Sequence, residues 1–113
     1  MKRILLAAAL SLLSLPAFAA SLGYRQSTSL STSSAIALPS VPSGQVGSFL
    51  LSVEGSGIRW RDDGTAPTSS VGQPVAAGQA LCYGNDAHAV QVIGQTAGAT
   101  IDVTYYAGNG CAQ

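Results

Sequence analysis

Few residues in this chain are of types that do chemistry, and their spacing decides what they can do. Asp62 and Asp63 are adjacent in IRWRDDGTAPTSSVG (58–72), which also holds Arg59, Arg61 and the single tryptophan, Trp60. Two carboxylates this close invite an acid–base pair or a cation site. Neighbouring residues on a strand point to opposite faces, however, whereas glycoside hydrolysis needs carboxylates converging across one bond at roughly 5 to 9.5 Å. Turn chemistry fits better: Asp closes Asx-type hydrogen bonds, Gly64 supplies positive φ, and Arg59 or Arg61 offers an ion-pair partner. His88, the only histidine, follows Asp86 by two residues in a chain rich in serine. A hydrolase triad would need a nucleophile in a strained elbow such as G-x-S-x-G, which is missing, so His88 reads as a solvated loop residue. Gly55-Ser56-Gly57 precedes the arginines without the G-x-x-x-x-G-K-[ST] pattern or following helix that phosphate capture requires. No catalytic, cofactor-binding or metal-ligating set emerges, and the chain reads as a non-enzyme that uses no cofactor.

Export bounds the remaining chemistry. Residues 1–20 have the parts of a secretory signal: Lys2 and Arg3, an apolar run from Ile4 to Leu15, then Pro16 and small residues at Ala17 and Ala19. Cleavage is expected after Ala19 or Ala20. The apolar run is shorter than the ~20 residues of a membrane-spanning helix, and no cysteine follows the cleavage site, so no stable membrane anchor is expected. The mature protein, residues 21–113, is then periplasmic or extracellular. In that setting Cys82 and Cys111, the only cysteines, read first as one disulfide. Closing a loop of roughly 30 residues would stabilise a small domain by about 3 to 4 kcal/mol on the chain-entropy estimate. Redox and metal alternatives lack the spacing or a histidine cluster.

Without the leader, three arginines face five acids, a net charge of −2, and no lysine remains. Nucleic-acid binders neutralise phosphates with clustered Lys and Arg, so nucleic acid is not an expected partner. Solubility falls to Ser, Thr, Gln, Asn and Gly, which suits a surface partly covered by neighbours; protein partners or self-association are expected.

The elements that must position these residues are short strands. Ser21 to Ser34 reads as a polar edge strand, with a flexible arm carrying Tyr24 and Leu30 onto a neighbour as the alternative. Ala35 to Leu38 is a short strand closed by Pro39, Pro42 and Gly44. From Val46 to Glu54, Phe49, Leu51 and Val53 alternate with Leu50, Ser52 and Glu54, so one face meets a core. Gly55-Ser56-Gly57 is expected to turn this strand into an antiparallel hairpin with the Trp60 strand, where Ile58 and Trp60 face inward and Arg59 and Arg61 outward. Trp60 is expected in the core. Gly72 to Gly78 reads as a loop containing Pro74, and Gln79 to Tyr83 as a strand carrying Cys82. After a turn at Gly84-Asn85-Asp86, two further strands cover Ala89 to Gln95 and Ile101 to Tyr106. Helical periodicity is nowhere sustained. About six to eight short strands separated by turns predict an all-β fold, a small antiparallel β-sandwich of jelly-roll or Ig-like type, as a single domain over 21–113.

The run IRWRDDGTAPTSSVGQPVAAGQ, followed by GATIDVTYY, resembles a pattern in small proteins encoded by tailed bacteriophages and prophages. The likeness spans Val46 to Tyr106, with RWRDDGTAPT its most specific part. It implies a compact β-sandwich with a structural or surface-binding role, virion-associated, and brings no catalytic residues. The export signal and the two cysteines depart from that pattern. On this reading Arg59, Arg61, Asp62 and Asp63 present one end of the domain for contacts, and Tyr106, outward on its strand, is a further contact candidate. A second reading is a small glycan-binding module that stacks sugars on Tyr105 or Tyr106, Tyr83 and Trp60.

Overall fold

The computed structural model describes residues 21–39, 46–84 and 89–108. The leader (1–20), Pro42, Gly44, Asn85, Asp86, His88 and Cys111 lie outside the described residues. All eight regular elements described are strands: β1 (Ser21–Ser27), β2 (Ile36–Ala37), β3 (Ser48–Glu54), β4 (Ile58–Arg61), β5 (Gln73–Val75), β6 (Ala80–Tyr83), β7 (Gln91–Gly94) and β8 (Thr100–Tyr106). They form two four-stranded antiparallel sheets, β1-β8-β3-β6 and β2-β7-β4-β5.

These orders share one rule. The first half of the chain pairs with the second half in reverse: β1 with β8, β2 with β7, β3 with β6, β4 with β5. The polypeptide is thus one long antiparallel ribbon whose successive rungs fall alternately into the two sheets, which is a jelly roll and not an Ig-like order. The ribbon's tip is the connection between β4 and β5, residues 62–72, the centre of the RWRDDGTAPT stretch.

Alternation explains the strands, and register aligns their apolar faces. On β3 and β8 the pairs Phe49 with Tyr105, Leu51 with Val103 and Val53 with Ile101 put six side chains on one face, all at most 2% exposed. Ile58, Val75 and Val92 of the second sheet, with Val90 just before β7, join them in one buried cluster, and burial of each such side chain contributes about 1.5 to 3 kcal/mol. Trp60 is partly buried and packs against this cluster from its rim.

Two expectations change, and one alternative falls. The Gly55-Ser56-Gly57 segment does not close a hairpin: β3 pairs with β6 and β8, while β4 pairs with β5 and β7 in the opposite sheet. The two glycines serve a close crossing. Gly55 has φ +78°, a Cβ on it would collide with the Gly98 carbonyl, and Ser56 donates to Thr96 O at 3.0 Å and Ala97 O at 3.2 Å across the gap. Pro74, expected in a loop, sits in β5, an edge strand that tolerates the missing N–H. Finally, Ser21–Ser27 forms an edge strand, but Leu30 beyond it is buried in the protein's own core, with its N–H donated to Ala99 O at 2.9 Å.

Candidate contact surface at the ribbon tip

β4 delivers its side chains alternately to the two faces of its sheet. Ile58 and Trp60 point between the sheets, so Arg59 and Arg61 project from the outer face. Arg59 is not simply wetted. Its guanidinium donates from Nε to Ser69 O at 3.2 Å and from Nη1 to Gly72 O at 2.8 Å, drawing the tip loop back onto the sheet. Pro67 is buried under that fold-back. Gly72, at φ +137°, lies so close that a Cβ would stand 3.1 Å from Trp60 O, 3.2 Å from Arg59 Cβ and 3.2 Å from Pro67 Cβ. Thr68 and Val71 exchange backbone hydrogen bonds of 2.9 and 3.2 Å, and Thr68 Oγ1 accepts a third from Val71 N at 3.0 Å. The loop is shaped by fixed partners on both sides.

The two adjacent aspartates, just past the end of β4, go separate ways. Asp63 takes a forked pair of bonds from Arg61, with Nε to Oδ1 at 3.0 Å and Nη2 to Oδ2, and also accepts Thr65 N at 3.3 Å in an Asx turn. The Arg61 hydrogen bond holds the Asp63 carboxyl below its ordinary range, and the same bond raises the Arg61 guanidinium. Asp62 instead accepts the Tyr83 hydroxyl at 2.6 Å, reaching across to the other sheet. The Tyr83 ring stacks on Phe49 with centroids 5.2 Å apart and meets Trp60 edge-on at 5.8 Å, so Asp62 is tied through it to the core.

Arg61, Asp62, Asp63, Val71, Gly72 and Gln73 line an open cleft of about 360 Å³ at this tip. Of the expected contact residues, Arg61, Asp62 and Asp63 are brought together here; Arg59 lies beneath the loop as its tether. Tyr106 is partly buried on the outer face of the other sheet, paired with Ser21 and Ser48, and does not line the cleft. Val71 and Gln73 were not singled out by sequence. Val71 is 50% exposed, an isolated apolar residue in a serine-rich run that no periodicity marks.

Of the aromatic residues proposed for sugar stacking, Trp60, Tyr83 and Tyr105 turn toward the core, while Tyr106 lies on the opposite, outer face of β8. Tyr83 and Trp60 meet between the sheets, and Tyr105, 2% exposed, tilts against Phe49 at 6.3 Å while its hydroxyl donates to Pro39 O. Burial pushes the Tyr105 phenol up to about 12, with Arg25 drawing it slightly back. They present no common face to solvent.

A second polar cluster sits on the outer face of the first sheet. Asp102 Oδ1 accepts the Tyr24 hydroxyl at 2.5 Å and the Gln26 amide at 2.7 Å, both from β1. Hydrogen bonding with Asp102 raises the Glu54 carboxyl, and that bond, followed by the one from Tyr24, lowers Asp102. Comparison with protein families, curated proteins and solved structures finds no significant match.

Proposed function

We propose that this chain is a non-enzymatic exported protein, phage- or prophage-derived, that works by surface contact as a virion-associated or extracellular assembly component. The observation that carries this reading is the tip itself. Its charged groups are engaged in holding a shape: Arg59 tethers the loop, Arg61 and Asp63 lock each other, and Tyr83 pins Asp62. A loop held by side-chain bonds at the end of a rigid sandwich offers a preorganised contact surface, because little conformational freedom is left to lose on binding.

The sheet register also supports the Cys82–Cys111 disulfide. Cys82 pairs with Leu50, which pairs with Thr104, so it lies two strands from β8 and on the outer face, opposite to Phe49 and Tyr83. That separation is on the order of 12 Å, from strand spacing and rise. The five residues from Tyr106 to Cys111 span up to about 17 Å, enough to bring the second sulfur there. Such a bridge belongs with export into an oxidising compartment.

The reading is tested by light scattering of the exported protein across a wide concentration range, together with its sedimentation with particles released from producing cells. Self-assembly or co-sedimentation is expected, with either lost in an Arg61→Glu/Asp62→Lys double variant. A strict monomer that stays free of particles overturns it.

A further inference from the structure

Resting on the contact reading above and naming its ligand chemistry, we infer that the tip cleft is a binding site for a neutral saccharide, gripped by planar polar side chains instead of stacked on aromatic rings. A sugar presents vicinal hydroxyls, each both donor and acceptor, and a face of C–H groups. The cleft presents matching parts. Asp62 offers carboxylate acceptors, and no bond among the described residues engages its second oxygen or the Gln73 side-chain amide. Gln73 adds one donor group and one acceptor at the start of β5, where it is exposed. Val71, 50% exposed on the same wall, supplies the apolar surface for the C–H face.

Charge decides the class of sugar. Two carboxylates and one guanidinium line the cleft, and the guanidinium is already matched by Asp63. The remaining carboxylate repels uronic acids, sialic acids and phosphorylated sugars, while neutral hydroxyls donate to it freely. Rigidity favours the ligand as well. Tyr83 fixes Asp62, Arg61 fixes Asp63, Thr68 fixes Val71, and Arg59 fixes Gly72, so the groups stand in place before binding. A volume of about 360 Å³, open to solvent, admits one or two sugar residues of a longer chain.

The test is amide NMR of the exported protein. It is titrated with methyl glycosides of glucose, galactose, mannose, rhamnose and N-acetylglucosamine and with their disaccharides, to about 50 mM, since ligands this small bind in the millimolar range. A neutral arginine-containing tripeptide amide and inorganic phosphate are run beside them. The expected result is saturable movement of the Asp62, Val71, Gly72 and Gln73 amides with at least one saccharide. Affinity should then weaken tenfold or more in Asp62→Ala or, should that variant not fold, in Gln73→Ala, and stay unchanged in Asp102→Ala on the far sheet. The inference is overturned if no saccharide moves those amides, if the shifts persist in the cleft variants, or if only the peptide or phosphate produces them. Particle attachment lost in the Arg61→Glu/Asp62→Lys variant without any saccharide response would sink the sugar and leave the contact reading standing. Saccharide binding by a protein that never attaches or assembles would do the reverse.

Discussion

Tyr83 joins the two levels of this protein in one side chain. Its ring completes the Trp60–Tyr83–Phe49 run between the sheets, and its hydroxyl holds Asp62 at the surface. Tyr83→Phe separates those roles. The ring contacts stay and the hydrogen bond goes, so stability should fall by no more than about 1 kcal/mol, while the Asp62 β-methylene couplings in NMR average toward those of a freely rotating side chain. A loss of several kcal/mol in denaturant unfolding would mean that the hydroxyl supports more than Asp62. The Glu54–Asp102 pair makes a prediction of opposite sign for its two members. Glu54 is raised in the fold, so its contribution is present below its ordinary value of 4.5 and is lost as pH rises through the folded value. Asp102 is lowered, so its contribution is present above 3.8 and is lost as pH falls through the folded value. Glu54→Gln keeps a neutral donor beside Asp102 at every pH. The variant should therefore melt slightly above the wild type at pH 7, within about 2 °C for an exposed pair, and the gap should close as pH falls toward 4.5. A gap that widens on acidification would refute the shared hydrogen bond.

At the scale of elements, the tip loop depends on Arg59 and Gly72. Arg59→Ala leaves the Ser69 and Gly72 carbonyls without their charged donor in a partly buried place, which should cost about 1.5 to 3 kcal/mol. Arg59→Lys should not restore it, because one ammonium cannot reproduce the Nε and Nη1 fork. Gly72→Ala meets both an unfavourable φ and three close atoms, and should destabilise by more than 1 kcal/mol. Chemical denaturation measures all three. Much of this was legible beforehand. Phe49-Leu51-Val53 and Ile101-Val103-Tyr105 announce their inward faces by strict alternation, and Asp62-Asp63-Gly64 announces a turn. The pairing was not legible, because glycines around Ser56 serve a hairpin and a close crossing equally well, and only partners distant in sequence decide between them. Nor did the sequence mark Arg59 as a tether: on β4 it reads as an outward charge, and its acceptors are backbone carbonyls, which carry no residue-type signature.

The whole molecule is a ribbon folded on itself, so its two halves meet at every rung and its long-range order converges on two places. One is the tip, where residues 62–72 turn the ribbon back, and the other is the open end, where β1 lies against β8 and the chain continues toward Cys111. Strand pairing at the tip is local and closes cheaply, whereas pairing β1 with β8 joins residues about 80 apart and carries the largest loop-closure entropy. The proposed Cys82–Cys111 bridge, running from β6 to the chain beyond β8, would act at that costly end. It would shorten the closure that the first sheet requires, since β6, β3 and β8 are consecutive neighbours in that sheet. For protein recovered from an oxidising compartment, the expectation is a mass two hydrogens below the fully reduced chain, no thiol labelling before reduction, and a stability loss of about 3 kcal/mol in reductant. For a domain of this size that corresponds to a melting temperature lower by roughly 12 to 24 °C. The loss should appear mainly as faster exchange of β1 and β8 amides, with the tip amides nearly unchanged. Two free thiols in that material, or a melting temperature indifferent to reductant, would leave the open end held by packing and hydrogen bonds such as those from Tyr24 and Gln26 to Asp102.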